Sequence, residues 1–263
     1  MAYICNCTKI TFQLRYFIKL AYKGTNYHGW QAQPNAITVQ ELLGKSFSTI
    51  FRNPIEIVGA GRTDAGVHAE EFYAHVNIEN EFNVNEVIYK LNGLLPDDIV
   101  VYDIFKTIEN AHARFDATSR SYEYRIFLGR NPFLIETAWQ LITTKLAVEK
   151  MNEAAEILKI HTNFKCFSRS NTDVRTYNCN IMDAEWKQTN QVLVFHITAD
   201  RFLRNMVRAI VGTLIEIGKG KMTLEEFKQI IESENRCNAG PSAPAQGLFL
   251  TQVTYPKTII EHE

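Results

Sequence analysis

The chain has few of the residues that mark the more specialised classes of protein. It contains only 13 glycines and 7 prolines among 263 residues, which excludes collagen-like and low-complexity sequences. Hydrophobic residues make up 46% and charged residues 22%, the proportions of a folded globular protein rather than a disordered one. No apolar run approaches the roughly 20 residues that a membrane-spanning helix requires. The sequence therefore predicts a folded, cytoplasmic protein without a membrane segment.

Cysteine and the common catalytic signatures are also scarce. The five cysteines are Cys5, Cys7, Cys166, Cys179 and Cys237. None belongs to a Cys-x-x-Cys pair or lies near a histidine at the spacing of a zinc site. The signatures of phosphate-binding loops, zinc proteases, serine hydrolases and calcium-binding EF-hands are missing from the sequence. We therefore expect reduced thiols, no metal and no cofactor.

The charges of the chain nearly cancel. Lysine and arginine number 28, aspartate and glutamate number 29, and the formal net charge is −1. The protein therefore lacks the overall positive field that attracts nucleic acids. An RNA partner would have to bind a local basic surface instead.

The spacing of apolar residues predicts the same order of elements twice. In the first half we expect strands at 15–22, 55–58, 70–78 and 99–106, a helix that opens at the capping box of Thr38 and Glu41, and a helix at 84–92. In the second half we expect strands at 120–128, 179–186, 192–198 and 248–255 and helices at 146–159 and 202–217. A second capping box, at Thr223 and Glu226, predicts one additional short helix.

Two split β-α-β units follow from this order. We predict an α+β fold in which two similar, ferredoxin-like halves form one extended, mostly antiparallel sheet, with helices on one face and a cleft between the halves. The predicted divisions are a tail over 1–14, an N-terminal domain over 15–112 and a C-terminal domain over 113–263. A cleft at a domain junction is a favoured binding site.

The densest polar segment is GAGRTDAGVH, at residues 59–68. It differs from a dinucleotide-binding fingerprint because Asp64 stands where the third glycine would lie, and because a strand rather than a helix follows. The structural alternative is a glycine-rich turn in which Asp64 accepts hydrogen bonds from neighbouring backbone amides. Three glycines around Arg62 and Asp64 favour a functional loop over that alternative.

Two further segments are rich in arginine. In one the arginines lie among aromatic residues, and in the other they repeat at the spacing of a helix. Residues 114–125 place Tyr122 and Tyr124 on one strand face, which we expect to lie opposite the helices, and aromatic rings among arginines suit stacking on bases beside phosphates. An ordinary half-buried strand is the alternative. Arg201, Arg204 and Arg208 are spaced to align along one helix face. At the start of a helix they oppose its dipole and need a carboxylate or phosphate partner.

Together these segments resemble the tRNA pseudouridine synthase A family from about residue 15 to residue 255. The matching motifs are AYKGTNYHGWQ (21–31), TVQ (38–40), GAGRTDAGVHA (59–69), HARFDATSRSYEY (112–124), FLRNMVRAIVGTL (202–214) and PAQGLFL (244–250). The resemblance implies a cofactor-independent homodimer that isomerises uridines 38, 39 and 40 in the anticodon arm of tRNA. It also implies a long sheet that is split between two similar domains.

The resemblance assigns roles to individual side chains. It implies that Asp64 is the catalytic nucleophile, that Tyr122 stacks on the target base and that Arg208 pairs with Asp64. It also implies that Arg62 helps to turn the base out of the helix and that Leu248 packs near the uracil. From their positions in the basic segments, we predict RNA contacts by Arg114, Arg120, Arg201 and Arg204.

Two other functions remain open at this stage. One is a non-catalytic RNA-binding protein, but binding alone gives no reason for an acidic residue between glycines in a phosphate-lined cleft. The other is a base-excising glycosidase with Asp64 as its nucleophile. A glycosidase would release free uracil, so analysis of the product separates it from an isomerase.

Overall fold

The computed structural model describes residues 13–142, 145–169 and 174–260, and these contain nine strands and five α-helices. The strands are β1 (Leu14–Tyr22), β2 (Val58–Gly59), β3 (His68–Ile78), β4 (Ile99–Lys106), β5 (Ser119–Leu128), β6 (Trp139–Leu141), β7 (Ile181–Thr189), β8 (Val192–Ala199) and β9 (Leu248–Thr254). The helices are α1 (Val39–Phe51), α2 (Val84–Leu94), α3 (Val148–Lys159), α4 (Met206–Gly218) and α5 (Leu224–Glu232). Within these ranges, no helix has both the length and the apolar character needed to cross a membrane.

All nine strands belong to one sheet. Its order is β4-β1-β3-β9-β5-β8-β7, with β2 paired to β3 and β6 paired to β5. The first half therefore runs β4-β1-β3-β2, and the second half, apart from β6, runs β9-β5-β8-β7. In both halves the fourth strand along the chain pairs with the first, the first with the third, and the third with the second. The pairings are antiparallel except for β3 with β9 and β5 with β6. This arrangement confirms the predicted fold class.

A short parallel pairing joins the two halves. His68 lies opposite Phe249 and Ala69 lies opposite Leu250, so β3 of the first half pairs directly with β9 of the second. On its other edge β9 pairs with β5. As a result, the loop that precedes β3 is held next to the second half of the molecule.

The buried side chains form two clusters, one for each half of the sheet. The first cluster contains residues of β1, β3, β4, α1 and α2, together with Leu250 and Val253 of β9. The second cluster contains residues of β5, β7, β8 and of helices α3, α4 and α5, together with Val67 from the first half. Each half also contributes side chains to the core of the other, so the division into domains at residue 112 stays a prediction.

Polar side chains define the starts of three helices. Thr38 and Asn83 accept hydrogen bonds from the backbone amides of Glu41 and Glu86 at the starts of α1 and α2. At α5, Thr223 and Glu226 form a complete capping box, in which each side chain accepts from the other residue's backbone amide. These bonds satisfy amide groups that have no partner within the helix.

The structure corrects two predicted elements and adds a strand that the sequence does not predict. Helix α4 begins at Met206, four residues later than the sequence predicts, because Asn205 adopts the left-handed conformation at φ 65°. Consequently Arg201 and Arg204 lie before the helix and do not form a row with Arg208. The strand predicted at 55–58 is reduced to Val58–Gly59, and the three-residue strand β6 was not predicted.

The chain before β1 and two of the cysteines lie outside the described residues. The predicted tail over 1–14 is described only for its last two residues, and Leu14 is already part of β1. Cys5 and Cys7 also belong to the part that is not described. Cys166 and Cys179 are buried free thiols, and burial raises the pKa of each to about 12. Such thiols are poorly reactive at neutral pH.

A buried histidine makes the stability of the fold sensitive to acid. The His75 ring is 5% exposed, its Nδ1 accepts a hydrogen bond of 3.1 Å from the Ala113 amide, and burial lowers its pKa to about 4. Between the ordinary value of 6.5 and this value, the unfolded chain binds a proton that the folded chain does not. Stability contributed by neutral His75 is therefore present above pH 6.5 and falls as the pH decreases through this range.

We expect His75→Asn to be less sensitive to acid than the wild type. The amide oxygen of asparagine can accept the Ala113 hydrogen bond but does not titrate. Between pH 7 and pH 5 the variant should lose roughly 1 to 2 kcal/mol less of its free energy of unfolding. Urea unfolding at both pH values measures the difference, and equal losses in the two proteins would contradict it.

Candidate active site

The loop between β2 and β3 carries Asp64 to the junction of the two halves. Its Oδ2 lies 3.3 Å from Arg208 Nη1, and its Oδ1 lies 3.7 Å from Arg204 Nε. The side chains of Asp64 and Arg208 are each 20% exposed, whereas Arg204 is half exposed. Two guanidinium groups therefore lie beside a partly buried carboxylate. The contact between Asp64 and Arg208 thus joins the first half to helix α4 of the second.

Arg208 is held in place by a second set of hydrogen bonds. Its Nε donates to the carbonyl oxygen of Ala243 at 2.7 Å, and the Ala243 amide donates back to the Arg208 carbonyl at 2.9 Å. The loop before β9 also packs tightly on α4, because a Cβ on Gly212 would lie 1.7 Å from the Pro241 carbonyl oxygen. Arg208 therefore presents its guanidinium to Asp64 in a fixed orientation.

The residue before Asp64 is fixed from three sides. The Thr63 hydroxyl accepts a hydrogen bond of 3.1 Å from the Trp30 amide and lies 2.9 Å from the Tyr22 hydroxyl. Gly29, at φ 87°, packs so closely that a Cβ there would lie 2.2 Å from the Thr63 carbonyl oxygen. Because the backbone has little freedom on this side, the position of Asp64 is set before any ligand binds.

His68, directly after the loop, connects three segments and was not singled out by the sequence. Its Nδ1 accepts from the Gly24 amide at 2.9 Å, and its Nε2 lies 3.2 Å from the Gln246 carbonyl oxygen, to which it donates. The ring stacks on Phe249 with centroids 4.5 Å apart. Burial lowers the pKa of His68, which favours the neutral form that these two bonds require. A histidine that follows a glycine-rich loop was the available signal.

Tyr122 lies beside the ion pair but on the face of the sheet that carries helices. It shares that face with Tyr124 and Ile126, which are buried among residues of the second half's helices, whereas Glu123 and Arg125 lie on the other face. The expectation that Tyr122 lies opposite the helices is therefore wrong. Alternation along a strand defines two faces but does not say which one the helices cover.

The surroundings of Tyr122 favour its neutral phenol. Its ring packs edge-on against Phe202, with centroids 5.1 Å apart, and the strand pairing shifts register between Ser121 and Tyr122. Burial raises the pKa of Tyr122 to about 12, nearby Arg120 opposes that change, and the Asp64 carboxylate adds to it. The residue is half-buried.

Arg120 has a structural role that its sequence position does not reveal. Its guanidinium donates to the carbonyl oxygens of Ala117 at 2.9 Å, Asp200 at 2.8 Å and Ala60 at 3.4 Å, and also to that of Arg114. These carbonyls come from both halves of the molecule. Because its donors are occupied in this way, Arg120 ties loops together and is poorly available for the predicted phosphate contact.

The remaining predicted residues lie around the ion pair at different depths. Arg62 is exposed on the same loop as Asp64, and its Nε donates to Gln31 at 3.2 Å. Leu248 is buried at the start of β9, opposite Tyr124 of β5. Exposed Arg114 and partly exposed Arg201 lie in the chain segments before β5 and before α4. The structure thus brings Asp64 together with two arginines and Tyr122 and leaves Arg62, Arg114 and Arg201 on the surrounding surface.

Comparisons with known proteins identify relatives over nearly the whole chain. A family model described as tRNA pseudouridine synthase matches residues 154–256. A protein named tRNA pseudouridine synthase A from Bacteroides fragilis is 53% identical over 249 residues, which cover 94% of this chain and 98% of the relative. Proteins of the same name from Bacteroides thetaiotaomicron and Syntrophomonas wolfei are 51% and 42% identical, over 95% and 90% of this chain and 93% and 96% of their own lengths.

The close packing at Gly29 predicts that its substitution destabilises the protein. Gly29→Ala would place a methyl group against the Thr63 carbonyl in a backbone conformation that alanine disfavours, and we expect a loss of more than about 1 kcal/mol in the free energy of unfolding. Gly93→Ala in α2 is the matched control, because a Cβ there meets no atom within 4 Å. It should be neutral or stabilising by up to about 1 kcal/mol. Urea unfolding that ranks the two variants in the opposite order would contradict this assignment.

Proposed function

The chain belongs to the tRNA pseudouridine synthase A family and is an isomerase that acts on tRNA, and from this premise we propose that it converts uridines 38, 39 and 40 of the anticodon arm to pseudouridine. The observation that carries the proposal is the carboxylate of Asp64, held by Arg208 across the junction of the two halves. We further propose that the protein works as a cytoplasmic homodimer without a cofactor.

The reaction rearranges bonds without changing the composition of the substrate. The bond between uracil N1 and ribose C1′ breaks, the detached base rotates, and a bond forms between C5 and C1′. C5 then loses a proton and N1 gains one, so no oxidant, reductant or transferred group is needed. A nucleophile that forms a temporary covalent bond with the substrate divides this sequence into easier steps.

We propose that Asp64 is this nucleophile. Its carboxylate pairs with two guanidinium groups and is partly withdrawn from water. Arg208 is buried to the same extent and fixed by Ala243, so it stabilises the negative charge without having to reorganise during the reaction. Arg204 is more exposed and more distant, which suits contact with the RNA backbone as well as with Asp64.

Tyr122 is proposed to stack on the target uracil and to pass on its C5 proton. Stacking between an aromatic ring and a base is worth roughly 1 to 3 kcal/mol. Because the pKa of Tyr122 is raised to about 12, its phenol is neutral and accepts a proton only while releasing its own. Asp64, once freed from the substrate as a carboxylate, receives the released proton, and it returns to the carboxylate as N1 takes up one proton, so the net transfer is from C5 to N1. Leu248 is proposed to line the apolar side of the uracil pocket.

Base access requires the target uridine to leave its stack. Unstacking costs a few kcal/mol and is easiest near the end of a stem or in a loop, as in an anticodon arm. Exposed Arg62, on the same loop as Asp64, is proposed to occupy the space that the flipped base vacates. With a net charge of −1, the protein must bind phosphates locally, and Arg114, Arg201 and Arg204 are the proposed contacts.

Replacement of the proposed nucleophile should abolish the reaction while RNA binding is retained. We expect Asp64→Asn to form no pseudouridine and to bind an anticodon stem-loop within a few fold of the wild type. Asp183→Asn, an exposed substitution on strand β7, is the control and should retain full activity. Nucleoside chromatography of the RNA measures the conversion, and free uracil in place of pseudouridine would indicate a glycosidase. Substantial conversion by Asp64→Asn would rule out the nucleophile.

Two substitutions at Tyr122 separate stacking from proton transfer. Tyr122→Phe keeps the ring and should bind RNA like the wild type, but it should lose most of its turnover because the hydroxyl is missing. Tyr122→Ala should weaken binding as well, by roughly 5- to 150-fold. Single-turnover rates and dissociation constants for both variants test this. Wild-type turnover by the phenylalanine variant would leave only the stacking role.

A further inference from the structure

An exposed aromatic side chain lies in the turn between β4 and β5. Phe115 is 73% exposed. Its ring contacts the ring of His112, and the two ring centroids lie 4.3 Å apart. The Arg114 guanidinium lies 5.5 Å from the centroid of the same ring. Single exposed apolar residues are common, so exposure by itself indicates nothing. The rigidity and the location of this turn provide the argument.

The turn is held rigidly from within. The His112 ring accepts a hydrogen bond of 3.1 Å from the Arg114 amide through Nδ1. The Asp116 carboxylate accepts one of 2.7 Å from the His112 amide, and the Asp116 amide donates to the His112 carbonyl at 3.1 Å. These bonds fix the backbone of the turn, and the contact with the His112 ring supports the Phe115 ring on it.

Contacts with the sheet fix the same turn from outside. The Ala113 amide donates to buried His75 at 3.1 Å, and the Ala113 carbonyl accepts from the Tyr255 hydroxyl. Because the turn is already ordered, binding a ligand there costs less conformational entropy. The turn is therefore prepared for binding.

The turn lies next to the loop that carries Asp64. Arg120 Nη2 donates to both the Arg114 carbonyl and the Ala60 carbonyl. One guanidinium nitrogen therefore bridges the turn and the loop that carries Asp64. Ala60 precedes Arg62 by two residues and Asp64 by four. Phe115 and Arg114 are consequently neighbours of the proposed catalytic loop.

We propose that Phe115 and Arg114 form a second RNA subsite, in which Phe115 stacks on an unpaired base near the target uridine and Arg114 contacts its phosphate. This inference rests on the proposed function and names the part of the RNA that the turn recognises. An aromatic face stacks on any base, and an adjacent cation suits the phosphate. The subsite therefore selects for an unpaired nucleotide rather than for a sequence.

Binding measurements on an anticodon stem-loop at several salt concentrations test this subsite. Phe115→Ala should raise the dissociation constant roughly 5- to 150-fold and leave the slope of its logarithm against the logarithm of salt unchanged. Phe115→Trp should bind like the wild type, whereas Phe115→Leu, which is apolar but cannot stack, should resemble alanine. Arg114→Ala should reduce the salt slope by about one.

Tyr89→Ala is the matched control, because Tyr89 is an exposed aromatic residue on α2. It should leave affinity and slope unchanged, and thermal unfolding should show that all the variants remain folded. A spectroscopic readout adds a second criterion: 2-aminopurine placed at each loop position in turn should lose fluorescence on binding to the wild type at one position, and not with Phe115→Ala.

Two results would overturn the subsite. The first is wild-type affinity of Phe115→Leu or Phe115→Ala, and the second is an equal loss of affinity in Tyr89→Ala. Failure of the proposed function itself looks different, because the wild-type protein would then form no pseudouridine at positions 38, 39 or 40, whatever the affinities of the variants.

Discussion

The parallel pairing of β3 with β9 is the constraint on which the rest of the molecule depends. It involves only two residue pairs, yet it joins the two halves into one sheet and places the loop before β3 against the second half. Buried Val67, immediately beyond the Asp64 turn, packs into the core of the second half, while Leu250 packs into the core of the first. The position of Asp64 relative to α4 is thus determined by the cores of both halves rather than by the flexible reach of a loop.

The ion pair between Asp64 and Arg208 adds an electrostatic contact between the two halves to the packing of their cores. A lone carboxylate withdrawn from water tends to become neutral, and arginines at the start of a helix oppose its dipole. In this protein the two unfavourable situations offset each other, because Arg208 in the first turn of α4 finds its partner in Asp64. His68 and Arg120 support the arrangement through backbone contacts, and neither touches the proposed nucleophile.

The secondary-structure elements could be predicted from the sequence where they depend on residues that are close together in the chain. Alternation and capping residues predicted β1, α1 and α5 to within a few residues, and the duplicated order of elements predicted the sheet. The start of α4 could not be read from arginine spacing, because Asn205 interrupts the helix through its backbone conformation. The sequence predicts an RNA contact at Arg120 and does not reveal its structural role, because its four carbonyl partners come from positions between 60 and 200, which no local pattern connects. The face of Tyr122 depended on where helices pack, which is a tertiary property.

The place of β9 in the chain has a consequence for biosynthesis. β9 is the last strand in the described sequence, yet it lies in the middle of the sheet between β3 and β5. While the polypeptide emerges from the ribosome, the facing edges of those two strands stay open until residues 248–254 have been made. The nascent chain therefore carries unpaired strand edges from the synthesis of β3 and β5 until that of β9, and the Asp64 loop meets α4 in its final geometry only after β9 has been made.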